Sequence, residues 1–199
     1  AQQQRSAWPQ QPIWLAASTH PDEEPMVLST HQEILRRWPN ALLIWAPRHS
    51  ERFQQVATAA VAGNFALSTR SLDGAPAKQS QIFLIDTHGE LLNFMPCADT
   101  VFVGGSLQNI GGHNVLEPAA LGLPILVGPH TQHFAGIVDA LKNADAIIEV
   151  PDAASLTAQL AHLLESPERA ATLGQNALHC VQQSQGALQK TKALIAQRL

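Results

Sequence analysis

The sequence predicts an α/β fold built on a doubly wound parallel sheet. Three observations predict it. Short, almost uninterrupted apolar runs recur at residues 13–17, 41–46, 81–86, 101–103, 123–128 and 146–150, and such runs suit strands buried on both faces. Segments with apolar residues at helical spacing lie between them, the alternation of a parallel sheet with crossover helices. With 199 residues, 45% hydrophobic and 14% charged, the chain can bury a full core around such a sheet.

The first apolar run, Ile13–Ala17, ends in Ser18-Thr19-His20, and Asp22, Glu23 and Glu24 follow where acids favour the first turn of a helix. That helix carries a stripe of Val27, Leu28, His31, Ile34, Leu35 and Trp38. Ser18 and Thr19 serve either as helix caps or as ligand contacts, and His20 reads as a surface residue. Residues 41–46 form the second strand, stopped by Pro47-Arg48-His49, after which Ser50 is expected to cap a helix that Gly63 ends. Arg48 thus falls at the carboxyl end of a central strand, where open α/β sheets bind ligands, and its guanidinium matches phosphate oxygens.

Residues 65–67 give a short strand, 68–80 a polar loop, and 81–86 a further strand closed by Thr87-His88-Gly89-Glu90. The glycine there is a turn residue, while His88 and Glu90 suit either solvent or a site. Residues 91–98 form a short helix or irregular segment broken at Pro96. Val101-Phe-Val-Gly-Gly-Ser106, continued through Gly111-Gly-His-Asn114 to Glu117-Pro118, reads as strand, glycine loop and helix start. Backbone N–H groups of such a loop and of a helix N-terminus suit an anion. Ser106, His113, Asn114 and Glu117 add polar groups to it.

The strand at 123–128 leads to His130 and His133, whose spacing can suit a metal; with a Pro-containing loop and no Cys or Glu beside them, no metal site is expected. A helix bearing Phe134, Ile137, Val138 and Leu141, a last strand at 146–150, helices at about 155–165 and 167–180, and a separate final helix beyond Gly186 complete six or seven strands. The fingerprint GxGxxG is missing after the first strand, which disfavours NAD.

The formal net charge of −4 offers no nucleic-acid footprint. Cys97 and Cys180 form no CxxC pattern and fit a reducing compartment such as the cytoplasm. No apolar run approaches a membrane span. Residues 1–12 lack an initiator Met and read as a linker, so the chain is expected to belong to something longer.

Ala16-Ala-Ser-Thr-His20, Ala46-Pro-Arg-His49 and above all Gly104-Gly-Ser106 leading to Gly111-Gly-His-Asn-x-Leu-Glu-Pro-Ala119 resemble the C-terminal half of the 3-deoxy-D-manno-octulosonic acid (Kdo) transferases. The resemblance runs in order over about residues 13 to 180. It implies a Rossmann-like, donor-binding half of a GT-B glycosyltransferase, with residues 181–199 a C-terminal helix that packs on an N-terminal domain the chain lacks. It implies transfer of Kdo from CMP-Kdo to a lipid A precursor in lipopolysaccharide core synthesis, inverting and without a metal or other cofactor. The general base and acceptor site would lie in the N-terminal domain, leaving this chain alone inactive. The full protein would work at the cytoplasmic face of the bacterial inner membrane, with no membrane contact through this soluble domain. Carried over by position, the CMP contacts fall on Pro47 and Arg48, on His88, Gly89 and Glu90, and on Asn114, Val115, Leu116 and Glu117. Arg48 would meet the phosphate, Glu117 the ribose hydroxyls, and the turn at His88 the cytosine. Gly104, Gly105, Ser106 and His113 are further contacts. A non-catalytic nucleotide-sugar or protein-interaction module of the same descent, and a GT-B enzyme using a UDP-sugar, are the rival readings.

Overall fold

The computed structural model describes Trp8 and residues 11–196, with side chains through Ser184. The expected linker over residues 1–12 therefore lies largely outside the described residues. Seven strands form one sheet, all neighbours parallel, in the order β3-β4-β2-β1-β5-β6-β7. They are β1 (Ile13–Thr19), β2 (Leu42–Pro47), β3 (Leu67–Thr69), β4 (Ile82–Leu84), β5 (Thr100–Val103), β6 (Ile125–Val127) and β7 (Ile148–Glu149).

The connecting helices are α1 (Glu24–Arg37), α2 (Phe53–Ala62), α3 (Arg70–Asp73), α4 (Leu91–Phe94), α5 (Leu116–Ala120), α6 (Ala135–Asn143), α7 (Ala153–Glu165) and α8 (Pro167–Ala196). Alternate residues of β1 point into two cores. Ile13, Leu15 and Ala17 pack with Val138 and Leu141 of α6, Ala119 of α5 and Ala177 of α8. Trp14 and Ala16 pack with Val27 and Ile34 of α1, Val56 and Ala60 of α2, and Leu156 and Leu160 of α7. Both faces of the sheet are thus covered, which explains why the central strands read as continuous apolar runs rather than alternating ones.

Several local expectations are corrected. Ser50 does not cap α2; a 3-10 turn, Ser50–Arg52, precedes the helix, and Arg52 reaches back to Glu24 on α1 with two hydrogen bonds. Gly63 does end α2, as expected, but with an ordinary φ of −77°; the left-handed residue is the next one, Asn64, φ 61°. The polar loop at 68–80 contains a helical turn, α3. The two helices expected on either side of Gly186 are one helix, α8, because neither that glycine nor the glutamines around it prevents i to i+4 hydrogen bonding.

Helix α8 crosses the turn after α5 at its closest point. A Cβ built on Gly174 would lie 2.0 Å from the backbone oxygen of Gly122. Alanine normally improves a helix interior by about 1 kcal/mol over glycine. Here the overlap is with main chain that cannot rotate away, so Gly174→Ala is expected to destabilise by about 2 kcal/mol, measured by urea unfolding.

Candidate functional site

The strand order reverses between β1 and β5, and the crevice outside the carboxyl ends of these strands is where an open α/β sheet receives a ligand. Two adjoining cavities occupy it. The larger, about 400 Å³, is lined by Ser18, Arg48, Gly89, His113, Asn114 and Glu117 among others. The smaller, about 140 Å³, lies between Pro47, Phe53, Thr87 and His88. Ser18, Arg48, Gly89 and Leu91 line both. A groove of about 600 Å³ opens at the other end of the sheet, among Pro12, Ala98, Leu123 and Pro124. Its Asp99 carboxylate accepts from the N–H of Ile13, so it holds the start of β1.

The sequence motifs therefore converge, but with divided roles. Pro47 and Arg48 sit at the end of β2, with the Arg48 N–H donating to the carbonyl of Thr19. His88 and Gly89 face the cavities; Glu90 lines neither. Its carboxylate accepts from Arg70 Nη2 at 2.8 Å and from the Thr87 hydroxyl, which pulls it below the usual glutamate range and locks the turn. Asn114 donates to Glu117 Oε1 at 3.0 Å and accepts from the N–H of Leu116, so its amide braces the start of α5. Val115 is buried in the core beneath, and Leu116 is exposed.

Ser18 and Thr19 part company at a register shift in the pairing of β1 with β2. Ser18 takes a left-handed φ of 56° and lines the crevice. Thr19 turns inward, fully buried, and its hydroxyl accepts from Trp45 Nε1 at 2.9 Å. Neither caps α1, whose N-terminus has no side-chain cap. Thr19 is a packing residue.

The glycine loop departs most from expectation. The N–H groups of its first part, residues 105–107, do not await a ligand. The buried carboxylate of Glu23 accepts from the N–H of Gly105 at 2.7 Å, Ser106 at 3.0 Å and Leu107 at 3.0 Å, and from that of His20 at 3.0 Å. Gly104 sits so close that an added Cβ would meet Ser18 oxygen at 2.7 Å and Glu23 Oε2 at 2.8 Å; Gly105 needs a φ of 67°. Ser106 is buried too, donating to the Val103 carbonyl and accepting from the N–H of Gly128. Gly104, Gly105 and Ser106 are thus framework, and the anion they bind is part of the protein.

Glu23 was placed by sequence in the first turn of α1 as a helix-end charge. Its hold on the N–H of His20, three residues earlier, is local, whereas its hold on the loop, 82 to 84 residues away, has no signal in the sequence. His20, expected at the surface, lies in the crevice wall. It is half-buried, and its Nε2 lies 2.8 Å from Nε2 of His113 in the crevice wall. Burial, reinforced by His20, Arg48, His49 and His133, pulls His113 down to about 4; burial also lowers His20. No group of three or more metal-ligating side chains is found among the described residues.

The crevice at the switch point of this parallel sheet thus brings together a cation, two imidazoles and a carboxylate, Arg48, His88, His113 and Glu117. The family model "Glycosyl transferases group 1" matches residues 11–179, and the chain belongs to that family. Two 3-deoxy-D-manno-octulosonic acid transferases align with it: that of Haemophilus influenzae, 38% identical over 96% of this chain and 45% of its own length, and that of Bordetella pertussis, 32% identical over 90% and 43%. The crystal structure of the C-terminal CMP-Kdo binding domain of WaaA from Acinetobacter baumannii superposes with a TM-score of 0.85 at 32% identity, covering 91% of this chain and 95% of that one. Within the group 1 family, the chain's likeness is to the Kdo transferases in sequence and to the C-terminal CMP-Kdo binding domain of WaaA in structure. It spans less than half the length of the curated relatives it matches.

Proposed function

We propose that this chain binds CMP-Kdo in the crevice between β1 and β5, as the donor half of an enzyme that transfers Kdo to a lipid A precursor. The observation that carries this reading is the meeting of Arg48, His88-Gly89 and Asn114-Glu117, far apart in sequence, around two joined cavities. Likeness along nearly the whole of a CMP-Kdo binding domain supports the same reading.

In this reading Arg48 meets the phosphate, since it is the cation lining both cavities. The smaller cavity, with the Phe53 and His88 rings 5.9 Å apart, takes the cytosine. Glu117, already accepting one hydrogen bond from Asn114, keeps further lone pairs for ribose hydroxyls. The acceptor's hydroxyl then attacks the anomeric carbon from the face opposite the phosphate, inverting it. Arg48 and the neighbouring imidazoles stabilise the departing phosphate, a task that in this arrangement requires no metal. The base that takes the hydroxyl proton belongs to the remainder of the longer enzyme, as does the acceptor site at the cytoplasmic face of the inner membrane. No helix among the described residues is long and apolar enough to cross a membrane.

Calorimetric titration with CMP tests the reading. Arg48→Ala is expected to weaken CMP binding about 10- to 100-fold, the value of one charged hydrogen-bonded contact of about 1.5–3 kcal/mol. Folded wild-type chain that fails to bind millimolar CMP, or that prefers UDP, contradicts it.

A further inference from the structure

His20 and His113 come from segments 93 residues apart and meet Nε2 to Nε2 at 2.8 Å, with ring planes within 5° of each other. Such a contact holds one proton between the rings. Two neutral imidazoles carry two N–H protons on four nitrogens: one in the shared bond, the other on one outer Nδ1. A third proton gives both Nδ1 atoms a hydrogen while the shared bond stays intact. A fourth would set two donors against each other. The pair is therefore built to change its charge by one.

Every neighbouring element bears on that change. Arg48 and His49, from the turn after β2, and His133, from the turn after β6, oppose it. Glu23 and Glu24, at the start of α1, favour it. Glu117 of α5 shares the cavity with His113. Burial dominates, and both rings lie below the ordinary histidine range. The pair is then neutral near pH 7, in a wall where Arg48 is the standing cation. An entering dianion supplies the countercharge that burial removed.

We propose that the His20–His113 pair is a proton-binding part of the phosphate subsite, taking up one proton from solvent when a phosphate monoester dianion occupies the crevice and releasing it when the dianion leaves. This rests on the donor-binding reading above. The donor's phosphate is a diester with one negative charge. When its bond to the sugar breaks, the electron pair remains on the phosphate oxygen, a bond forms from the acceptor oxygen to the anomeric carbon, and the acceptor's proton goes to the base. The phosphate is then a dianion, and the added proton on the pair balances the new charge. The pair thereby distinguishes product from donor by charge.

Imidazole ¹⁵N spectra of the histidine-labelled chain at pH 7.5 test this with three probes: CMP, its methyl ester as a monoanionic diester, and cytidine. Without ligand one of the two outer Nδ1 nitrogens of His20 and His113 is expected to be unprotonated, and CMP alone is expected to bring both to protonated shifts. Between pH 7 and 8.5, where CMP is already a dianion, its affinity is expected to fall by up to about tenfold per pH unit in the wild type. In His113→Asn that fall is expected to disappear. Saturable CMP binding with both rings still neutral, or a fall of the same steepness in His113→Asn, overturns the proposal. Absence of CMP binding, seen as unmoved amide signals at Gly89 and Asn114, overturns the donor-binding reading and this proposal with it.

Discussion

Glu23→Ala is expected to lower the unfolding free energy by about 3–5 kcal/mol, the range for removing one partner of a buried charge network. The carboxylate satisfies the N–H groups of Gly105, Ser106 and Leu107 in a fully buried place. Alanine would strand those donors away from water and leave a void beside Gly104, where the packing is tightest. Glu23→Gln keeps the volume but turns an NH₂ group toward donors, so it is expected to recover only part of the loss. Urea unfolding of the three proteins checks this. A loss below about 1 kcal/mol in the alanine variant would mean that water replaces the carboxylate. Because the loop also carries His113 and Asn114 into the crevice, CMP affinity is expected to fall in both variants.

The second large effect is acid sensitivity at His31. This side chain is fully buried on α1, its Nδ1 accepting from Trp14 Nε1 at 3.1 Å and its Nε2 2.8 Å from the carbonyl of Gln81. The tautomer is thereby fixed with hydrogen on Nε2. A second proton would have to sit on Nδ1, facing the indole N–H. Burial accordingly pulls His31 from the ordinary 6.5 down to about 4. Between these values the unfolded chain binds a proton that the folded chain refuses. Stability is therefore fully present above pH 6.5 and is lost as pH falls toward 4, by about 3 kcal/mol from this residue. His31→Gln removes the titration. The loss in unfolding free energy between pH 7 and pH 4.5 is expected to be smaller in that variant, although its stability at pH 7 is lower. An equal loss in both proteins would refute the assignment.

The parts of the molecule that were legible in sequence are those whose physics is local. Leu42–Pro47 is buried at every position and ends at a proline and an arginine, so both the strand and the location of Arg48 could be read directly. The helix ends were less legible. The left-handed conformation falls on Asn64 rather than Gly63, and a Cβ on Gly63 would meet the Phe65 ring at 2.8 Å, a neighbour no spacing rule reports. The site divided in the same way. Arg48 and Asn114 stand where strand ends and turns put them, whereas the partner of the glycine loop lies 82 residues from Gly105, and the partner of His113 lies 93 residues away. A glycine loop looks the same in sequence whether its N–H groups await a ligand or already hold a side chain. Only the tertiary fold tells the two apart.

The Glu23 carboxylate also has a consequence for competition. A free anion binds such a loop from dilute solution, at millimolar concentration or below, whereas a carboxylate fixed at the N-terminus of α1 is presented at a far higher effective concentration. Phosphate or sulfate in the medium is therefore poorly placed to displace it. The glycine loop keeps its shape whatever the anion content of its surroundings, and the crevice beside it meets each nucleotide as a ready-made wall.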